Sequence, residues 1–374
     1  MYKRIAVFIL SLLLCFTLWN VEIKAEVNDL PVNAKAYVLI DPISGRILLE
    51  KNSEEKRAMA STTKIMTAIL ALEKGDLSSI VEISSKASSV GGSSFNLQAK
   101  EYLQLNSLLY GLLLPSGNDA AIAIAEHIAG TENDFVQIMN KKAVELGALD
   151  THFNNPHGLD DPDHYTTAKD LALITRYALG CSKFREIVQT KNIQINDGKL
   201  PRHIYSTNRL LWEYKGCNGV KTGYTGQAGR CLVASAVNNN FQLISVVLGS
   251  NNHFNDSRTI LDYGFDNYKL RTVIDKDNYK FPIKVRNGFC DEICLIVEES
   301  VKLPFKDNES FLLTPVVPKE VKAPVFKGEQ IGQIEIIINN KNVYSKALIA
   351  SSDVPLKTYN KILYEILKSW LDLK

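Results

Sequence analysis

The stretch AMASTTKIMTAIL, residues 58–70, decides how this chain is interpreted. Its apolar residues recur at helical spacing, which predicts a buried helix that starts near Ser61. Ser61 and Lys64 are three residues apart, so on a helix their side chains share one face. A serine hydroxyl needs a base before it attacks a carbonyl at neutral pH, and a buried lysine with a lowered pKa can be that base. Alone, the pair is more typical of a solvated first helical turn.

Composition and charge restrict the classes of function. The chain has 374 residues, enough for about two domains. Hydrophobic residues make up 45% and charged residues 22%, which is typical of a globular protein. The formal net charge of +2 is too small for the basic surface that a nucleic-acid partner needs, so no such partner is expected.

The cysteines predict neither a disulfide scaffold nor a metal site. The 6 cysteines are too few for a scaffold in a chain of this length. Cys15 lies in an apolar N-terminal segment, and the remaining cysteines are odd in number. Cys290 and Cys294 are candidates for a pair, and at least one other thiol stays free. No cluster of cysteines and histidines has zinc-site spacing.

The N-terminus has the pattern of a targeting segment. Lys3 and Arg4 precede the apolar residues 5–18, and the small residue Ala25 closes the stretch. We therefore predict that residues 1–25 form a secretory signal peptide, cleaved near Ala25. This places the protein outside the cytoplasmic membrane. The alternative is an N-terminal anchor that is not cleaved.

The first half of the chain changes from strand to helix. Two short apolar runs, 36–40 and 46–50, flank a turn and predict a hairpin. Residues 60–190 are mostly helical by periodicity, including one helix over 102–114. The Ser- and Gly-rich segment 84–94 is either a flexible surface loop or the rim of a cleft.

Strands return later in the chain, over 219–222, 231–237 and 241–248, and a helix follows over 257–268. Strands at both ends of a helical middle predict one antiparallel sheet with helices on both faces. The fold class is therefore α/β (α+β).

The C-terminal part of the chain differs from the first part in its residue pattern. From about residue 275, short β-rich runs separated by prolines predict a small all-β domain. Apolar residues then follow helical spacing from Tyr359 to Leu371. This segment is too short and too charged to span a bilayer, and we predict an in-plane membrane helix with an interfacial Trp370. The alternative is a helix docked on the protein.

Two further motifs raise the significance of Ser61 and Lys64. Ser116-Gly117-Asn118 lies at a predicted corner between helices, and Lys221-Thr222-Gly223 lies on a predicted strand. The ordered set Ser-x-x-Lys, Ser-x-Asn and Lys-Thr-Gly is typical of penicillin-recognising serine enzymes.

With these motifs the chain closely resembles the serine-type D-alanyl-D-alanine carboxypeptidases, the low-molecular-mass penicillin-binding proteins of peptidase family S11. The matching stretches are Ser61–Thr67, Leu112–Ala121, Asn155–Leu159 and Val220–Thr225. The Lys-Thr-Gly-Tyr-Thr run is similar to the sporulation-type branch. Residues 99–100 depart from the family, which more often has a Gly-Glu turn there.

The resemblance implies the architecture of the whole chain. A β-lactamase/transpeptidase-like catalytic domain, the penicillin-binding carboxypeptidase domain, would cover residues 26–272. A C-terminal β-domain would cover 273–355, and an amphipathic membrane-anchor helix would cover 356–374. The enzyme would be a D-Ala-D-Ala carboxypeptidase that trims the peptidoglycan stem pentapeptide, with a role in cell-wall organisation.

The resemblance also implies roles for four catalytic residues. Ser61 would attack the carbonyl of the penultimate D-alanine and form an acyl-enzyme. Lys64 would be the general base, kept partly neutral by burial and by a nearby lysine. Ser116 would relay a proton to the leaving amine, and Asn118 would orient Lys64 and the substrate amide.

The resemblance also implies that residues of one strand bind the substrate. Lys221 and Thr222 would bind the terminal carboxylate, and Gly223 would let the substrate lie close to the strand. The backbone N–H of Tyr224 would form the oxyanion hole together with that of the nucleophile, and Thr225 would also bind the substrate. The resemblance implies no metal or organic cofactor.

The implied partners are peptidoglycan stem peptides, β-lactam antibiotics as inhibitors, and the membrane surface. The alternatives are a peptidoglycan DD-endopeptidase, a serine β-lactamase and a catalytically inactive wall-binding protein. Arg258 either assists carboxylate binding or forms an ordinary ion pair. Asn155 and His157 are expected to hold a turn rather than to catalyse.

Overall fold

The computed structural model describes residues 30–371, without the side chains of residues 365 and 371. The predicted signal peptide, residues 1–25, and its Cys15 lie outside the described residues. Among the helices that are described, none has the length and apolar character to cross a bilayer.

The elements are numbered in chain order. The helices are α1 Lys64–Lys74, α2 Ser85–Ser89, α3 Leu105–Leu113, α4 Asn118–Ala129, α5 Glu132–Glu145, α6 Ala168–Gly180, α7 Ser182–Gln189, α8 Leu210–Glu213, α9 His253–Asn267 and α10 Tyr359–Leu371. The strands of the first part are β1 Ala36–Ile40, β2 Ile47–Lys51, β3 Ile80–Glu82, β4 Tyr102–Gln104, β5 Asn192–Ile195, β6 Arg202–Tyr205, β7 Cys217–Thr225, β8 Gly229–Asn238, β9 Phe241–Ser250. Those of the second part are β10 Lys269–Ile274, β11 Phe281–Arg286, β12 Glu292–Ile296, β13 Val301–Phe305, β14 Phe311–Val316, β15 Glu320–Lys322, β16 Gln330–Ile338, β17 Lys341–Ala350.

A five-stranded antiparallel sheet forms the centre of the first part. Its strand order is β2-β1-β9-β8-β7, so the N-terminal hairpin joins the three late strands through β1 and β9. Helix α9 packs against β8 and β9, and helix α6 packs against β1 and β9. The structure confirms the α/β (α+β) class and the antiparallel sheet built from both ends of the first part, and β3-β4 and β5-β6 form two further two-stranded sheets.

A large apolar core lies between this sheet and the helical layer. Helix α4 is at its centre, where Ala120, Ala121, Ala123 and Ala125 are fully buried. Their small side chains let α4 lie close to α1, α3 and α5, which all pack against it. Burying a large apolar side chain contributes about 1.5–3 kcal/mol, so the surrounding leucines and isoleucines supply most of the stabilisation.

The second part is all-β and has a core of its own. Six strands form a sheet in the order β14-β16-β17-β12-β11-β15, and β10 pairs with β13. Val273 and Ile274 of β10 already belong to this second core. The two parts are joined by polar contacts: Arg46 forms an ion pair with Glu309 and donates to the Pro304 carbonyl at 2.8 Å.

Two local predictions are corrected by the structure. Residues 102–114 are not one helix, because 102–104 form strand β4, which pairs with β3, and the helix begins at Leu105. Exposed Tyr102 and buried Leu103 alternate across that strand. Helix α7 lies inside the predicted helical range 60–190 but was not predicted as a separate helix, although Phe184, Ile187 and Val188 give it one buried face.

Each of the five cysteines among the described residues is free, so Cys290 and Cys294 form no disulfide.

Helix α10 has exposed side chains along its apolar stripe, including Tyr359 and Trp370. The stripe is therefore not docked on the protein.

Candidate active site

Ser61 lies in a tight turn just before helix α1. The turn is a 3₁₀ segment, Ala60–Thr63, so the predicted α-helix begins at Lys64 and not at the serine. The Thr62 and Thr63 hydroxyls donate to the carbonyls of Met59 and Ala60, at 2.6 Å and 2.8 Å. Side-chain hydroxyls that bond nearby carbonyls compete with the regular helical pattern, which explains the shift.

The Lys64 amine is fully buried and has three oxygen partners. Nζ lies 2.9 Å from Ser61 Oγ, 2.7 Å from Asn118 Oδ1 and 2.7 Å from the His157 carbonyl oxygen. The His157 contact was not predicted, because the chain brings that carbonyl in through the turn after residue 154. The three oxygens fix Nζ within reach of the serine hydroxyl.

The surroundings of Lys64 oppose a positive charge. Burial lowers the pKa of Lys64 well below its usual value, and the nearby charge of Lys221 lowers it further, while Asp119 acts in the opposite direction. A buried lysine that stays partly neutral can accept a proton near neutral pH.

Asn118 is also held by the backbone of the Ser-rich segment. Its Nδ2 donates to the Gly91 carbonyl at 2.7 Å, and its backbone N–H donates to the Ser93 carbonyl at 2.7 Å. Because a carbonyl only accepts, the Gly91 contact sets Nδ2 there and turns Oδ1 towards Lys64. The Ser-rich segment therefore forms the rim of the cleft, which decides between its two predicted roles.

Ser116 has an unusual backbone conformation, and its side chain has unusual surroundings. Its φ of 69° lies in the left-handed region, where residues other than glycine are uncommon. Its Oγ is buried and has no hydrogen-bond partner within residues 30–371. A buried hydroxyl without a partner is rare, and here it faces the cleft that Ser61 lines.

Strand β7 carries the third motif along the edge of the sheet. Lys221 is buried, its Nζ donates to the Thr222 carbonyl at 3.0 Å, and burial lowers its pKa to about 7. A Cβ on Gly223 would lie 2.9 Å from the Ser61 nitrogen, so only glycine lets the strand approach the nucleophile this closely. Thr225, which was predicted to bind the substrate, is not among the residues that line the cleft, and its hydroxyl donates to Asp160 Oδ1 at 2.5 Å.

These elements enclose a cleft of about 270 Å³. Its lining residues are Ser61, Ser93, Ser116, Thr207, Thr222, Gly223, Tyr224, Arg230, His253 and Phe254. Four of them were missed from the sequence: Thr207, Arg230, His253 and Phe254. Thr207 had no sequence signal, although its hydroxyl lies 2.7 Å from that of Thr222. Arg230 could have been found from the strand register, since it is opposite Tyr224.

The remaining candidates lie outside the cleft. Asn155 Oδ1 accepts the Gly158 N–H at 2.6 Å, and its Nδ2 donates to the Leu159 carbonyl at 3.0 Å, so Asn155 holds the expected turn. The His157 imidazole is buried, which lowers its pKa to about 3. Arg258 lies 3.8 Å from Glu213 as an ordinary ion pair.

Comparison with known proteins agrees with this geometry. The family model for D-alanyl-D-alanine carboxypeptidase, peptidase S11, matches residues 23–252. This chain belongs to that family. A second model, the C-terminal domain of penicillin-binding protein 5, matches residues 268–356. The protein is thus a D-alanyl-D-alanine carboxypeptidase of the penicillin-binding protein family, and its second domain is the family's all-β module.

Individual carboxypeptidases are similar over most of their length. D-alanyl-D-alanine carboxypeptidase DacF of Bacillus subtilis is 34% identical over 362 residues, which cover 93% of this chain and 92% of the relative. D-alanyl-D-alanine carboxypeptidase DacC of Escherichia coli is 34% identical over 342 residues, 86% of this chain and 84% of the relative. Among solved structures, penicillin-binding protein 5 of Haemophilus influenzae is 30% identical with a TM-score of 0.73, and the match covers 87% of this chain and 98% of that one.

Proposed function

We propose that Ser61 is the nucleophile and Lys64 its general base in the hydrolysis of the terminal D-Ala-D-Ala bond of peptidoglycan stem pentapeptides. The observation that carries the proposal is the 2.9 Å distance between Lys64 Nζ and Ser61 Oγ. A general base must lie within hydrogen-bond reach of the proton that it removes, and this pair does. The burial of Lys64 supports the same role, because it favours the neutral amine.

The partners of Lys64 determine the direction of the proton transfer. A neutral amine has two N–H bonds and one lone pair. Asn118 Oδ1 and the His157 carbonyl oxygen can only accept, so they take the two N–H bonds. The lone pair is then left for the hydroxyl of Ser61, which donates its proton to Nζ. Loss of a proton from Lys64 thus changes the serine from acceptor to donor.

The reaction then follows as acyl transfer. Lys64 takes the Ser61 proton while Oγ bonds to the carbonyl carbon of the penultimate D-alanine. The C–N bond breaks, Lys64 passes the proton that it took on to Ser116, and Ser116 donates its own proton to the amine of the leaving D-alanine. An ester to Ser61 remains. Water hydrolyses this ester, which releases the shortened peptide and restores the serine hydroxyl.

The proposed proton relay through Ser116 is supported by the lack of a hydrogen-bond partner for its hydroxyl among the described residues. Its buried Oγ lines the same cleft as Ser61 and has no hydrogen-bond partner within the described residues. An unpaired hydroxyl in this place is available to donate to a leaving amine and to receive a proton in return.

We assign the oxyanion hole to the backbone N–H groups of Ser61 and Tyr224. Strand β7 is at the edge of its sheet, so alternate N–H groups point away from β8. The close approach of Gly223 to the Ser61 nitrogen brings the two donors to the same part of the cleft. One such donor contributes about 3–4 kcal/mol to transition-state stabilisation.

β-Lactams are proposed to acylate the same serine, as the family name implies. Labelled penicillin should add one adduct to the wild-type protein, located at Ser61 by mass spectrometry, and none to Ser61→Ala. An adduct that lasts supports a carboxypeptidase. Rapid hydrolysis would favour the β-lactamase alternative, and no adduct would favour the inactive wall-binding protein.

We propose that the protein works at the outer face of the cytoplasmic membrane, held there by helix α10. Six large apolar side chains of this helix are 40% to 80% exposed, namely Tyr359, Ile362, Leu363, Ile366, Leu367 and Trp370. An amphipathic helix with an undocked apolar face binds in the plane of a membrane interface.

For the domain limits we propose a signal peptide over 1–25 and a catalytic domain that ends at residue 268 instead of 272. The reason is that β10 starts at Lys269 and contributes Val273 and Ile274 to the second core. The β-domain then extends to 355, and the anchor segment covers 356–374.

A further inference from the structure

His164 is a buried histidine that is not among the residues lining the cleft, yet it connects two segments of the site. Its Nε2 lies 2.7 Å from the Thr63 hydroxyl, and its Nδ1 accepts the backbone N–H of Asn154 at 2.9 Å. Thr63 belongs to the turn that carries Ser61. Asn154 directly precedes the turn that carries the His157 carbonyl. One imidazole therefore joins the nucleophile turn to the segment that supplies a partner of the base.

The partners of the imidazole fix which nitrogen carries its proton. A backbone N–H only donates, so Nδ1 accepts. The Thr63 hydroxyl donates its own hydrogen to the Ala60 carbonyl at 2.8 Å, so it accepts the Nε2–H of His164. Both nitrogens are thus used, in one tautomer, by groups whose positions are set by the backbone.

The imidazole is neutral at pH 7. Burial lowers the pKa of His164 to about 4. Asp161 and Asp160 favour the protonated ring, while His152 and Lys64 oppose it, and the effect of burial is larger than any of these. The bond to the Asn154 N–H, which needs the lone pair of Nδ1, is therefore present at the pH at which the enzyme works.

The two connected segments supply two of the three oxygens around Lys64. Ser61 Oγ comes from the first segment and the His157 carbonyl oxygen from the second, at 2.9 Å and 2.7 Å from Nζ. The third oxygen comes from Asn118 of helix α4. A shift of either segment would lengthen one of these contacts, and a loss of alignment of this kind slows proton transfer.

Other contacts keep the two segments together. The Thr67 hydroxyl of helix α1 donates to the Pro156 carbonyl at 2.6 Å. A Cβ on Gly158 would lie 1.9 Å from the Ala60 carbonyl oxygen, so the two backbones are also packed tightly here. A variant at His164 should therefore fold, with the segments displaced slightly rather than separated.

We propose that His164 is a positioning residue for acylation, which rests on the proposed roles of Ser61 and Lys64. Its imidazole sets the Ser61 hydroxyl and the His157 carbonyl at the distances from Lys64 Nζ that proton transfer requires.

The test compares His164→Leu, which loses both hydrogen bonds, with His164→Gln, whose carboxamide offers an acceptor and an N–H donor again. His164→Leu should lower the maximal rate of acylation by penicillin by about 10- to 100-fold. The half-saturating penicillin concentration should stay the same, because the lining of the cleft is unchanged. His164→Gln should restore most of the rate. His152→Leu, the control, removes a nearby imidazole that bonds to the Asp163 carbonyl and should change neither quantity.

The pH dependence of acylation separates positioning from a loss of stability. The ammonium form of Lys64 donates to three oxygens, and the His157 carbonyl is one of them. When that carbonyl moves away, the ammonium form is less stabilised, so the acid limb of the acylation rate should move down by about one pH unit in His164→Leu. Lys221 and Asp119, the charged groups beside Lys64, are the same in both proteins. Partial unfolding would instead lower the rate without moving the limb.

Thr63→Val cuts the same connection from its other end. If His164 acts through Thr63, the double variant should be about as slow as the slower single variant, since the two changes remove one interaction.

The outcomes distinguish this role from the function on which it rests. Acylation of His164→Leu at the wild-type rate, or effects of the two single variants that multiply, would overturn the role of His164 while the proposed nucleophile and base stand. A slower rate with the acid limb in place, not relieved in His164→Gln, would overturn it as well. If penicillin does not acylate Ser61 in wild type, the proposed function itself fails.

Discussion

The Asp119 carboxylate accepts the backbone N–H of Phe95, at 2.8 Å from Oδ1 and 2.9 Å from Oδ2. It also accepts the Leu97 N–H at 3.1 Å and the Ser94 hydroxyl at 2.5 Å. Asp119 is buried in the first turn of helix α4, directly after Asn118. A single carboxylate therefore fastens the rim of the cleft to the helix that carries the Lys64 partner.

Replacement of Asp119 should loosen this rim. In Asp119→Ala two buried N–H groups lose their acceptor, and we expect a loss of about 2–4 kcal/mol in the free energy of unfolding. Acylation by penicillin should also slow, because Asn118 is no longer held. Urea unfolding and acylation rates measure both effects. Glu126→Ala, on the same helix, is the control and should change neither; equal effects of the two variants would contradict the account.

Asn118→Asp should change the pH dependence of acylation. Lys64 acts as a base only when neutral, so activity is lost as the pH falls through its pKa. A carboxylate in place of the carboxamide, 2.7 Å from Nζ, favours the ammonium form and raises that pKa. We expect the acid limb of kcat/KM to move up by about one to three pH units.

Asn118→Ala is the matched control for this shift. It removes the oxygen partner without adding charge, so it should lower the plateau of kcat/KM and leave the acid limb below that of Asn118→Asp. An identical acid limb in wild type and Asn118→Asp would show that the limb does not report Lys64.

Lys221 makes stability depend on pH. Its pKa is about 7 when folded, because of burial, against an ordinary value of 10.5 for an exposed lysine, so between these limits the unfolded chain binds more protons. Stability should therefore rise from pH 7 to pH 10, by at most about 1.4 kcal/mol per pH unit from this lysine. Lys221→Met should flatten the rise, as followed by urea unfolding at pH 7, 8 and 9. The same slope in both proteins would mean that Lys221 is charged when folded.

Helix α10 should bind anionic lipid vesicles through its apolar stripe. Ile366→Asp puts a charge in the middle of the stripe and should reduce cosedimentation with vesicles by about tenfold or more, because burying a charge among acyl chains is costly. Lys361→Gln lowers the net charge by the same one unit on the opposite face of the helix and should have a much smaller effect. Equal binding of the two variants would favour another means of membrane attachment.

The sequence was informative wherever chemistry or periodicity is local. The spacing of Ser61 and Lys64, the apolar runs of β8 and β9, and the ordered motifs led to the sheet and to the family. The terminal stripe from Tyr359 to Leu371 predicted helix α10 for the same reason, because helical periodicity depends only on neighbouring residues.

Features that depend on distant residues were not predictable. The 3₁₀ turn at Ser61 requires Ala60 at a φ of 48°, and a Cβ on Gly158 would lie 1.9 Å from the Ala60 carbonyl oxygen. That contact joins positions almost a hundred residues apart. Arg230 and His253 likewise enter the cleft only through strand register and helix packing. Residues 102–104 form a strand because β3 is beside them, which outweighs their local helical pattern.

Release of free D-alanine from diacyl-L-Lys-D-Ala-D-Ala, measured with wild type and Ser61→Ala in parallel, decides whether Ser61 is the nucleophile of a carboxypeptidase. We predict release by wild type and none above background by Ser61→Ala, which should stay folded because Ser61 is only partly buried. Release by Ser61→Ala at the wild-type rate would contradict the assignment of the nucleophile. No release by wild type, with penicillin still bound, would contradict the carboxypeptidase activity and direct attention to cross-linked peptides and an endopeptidase.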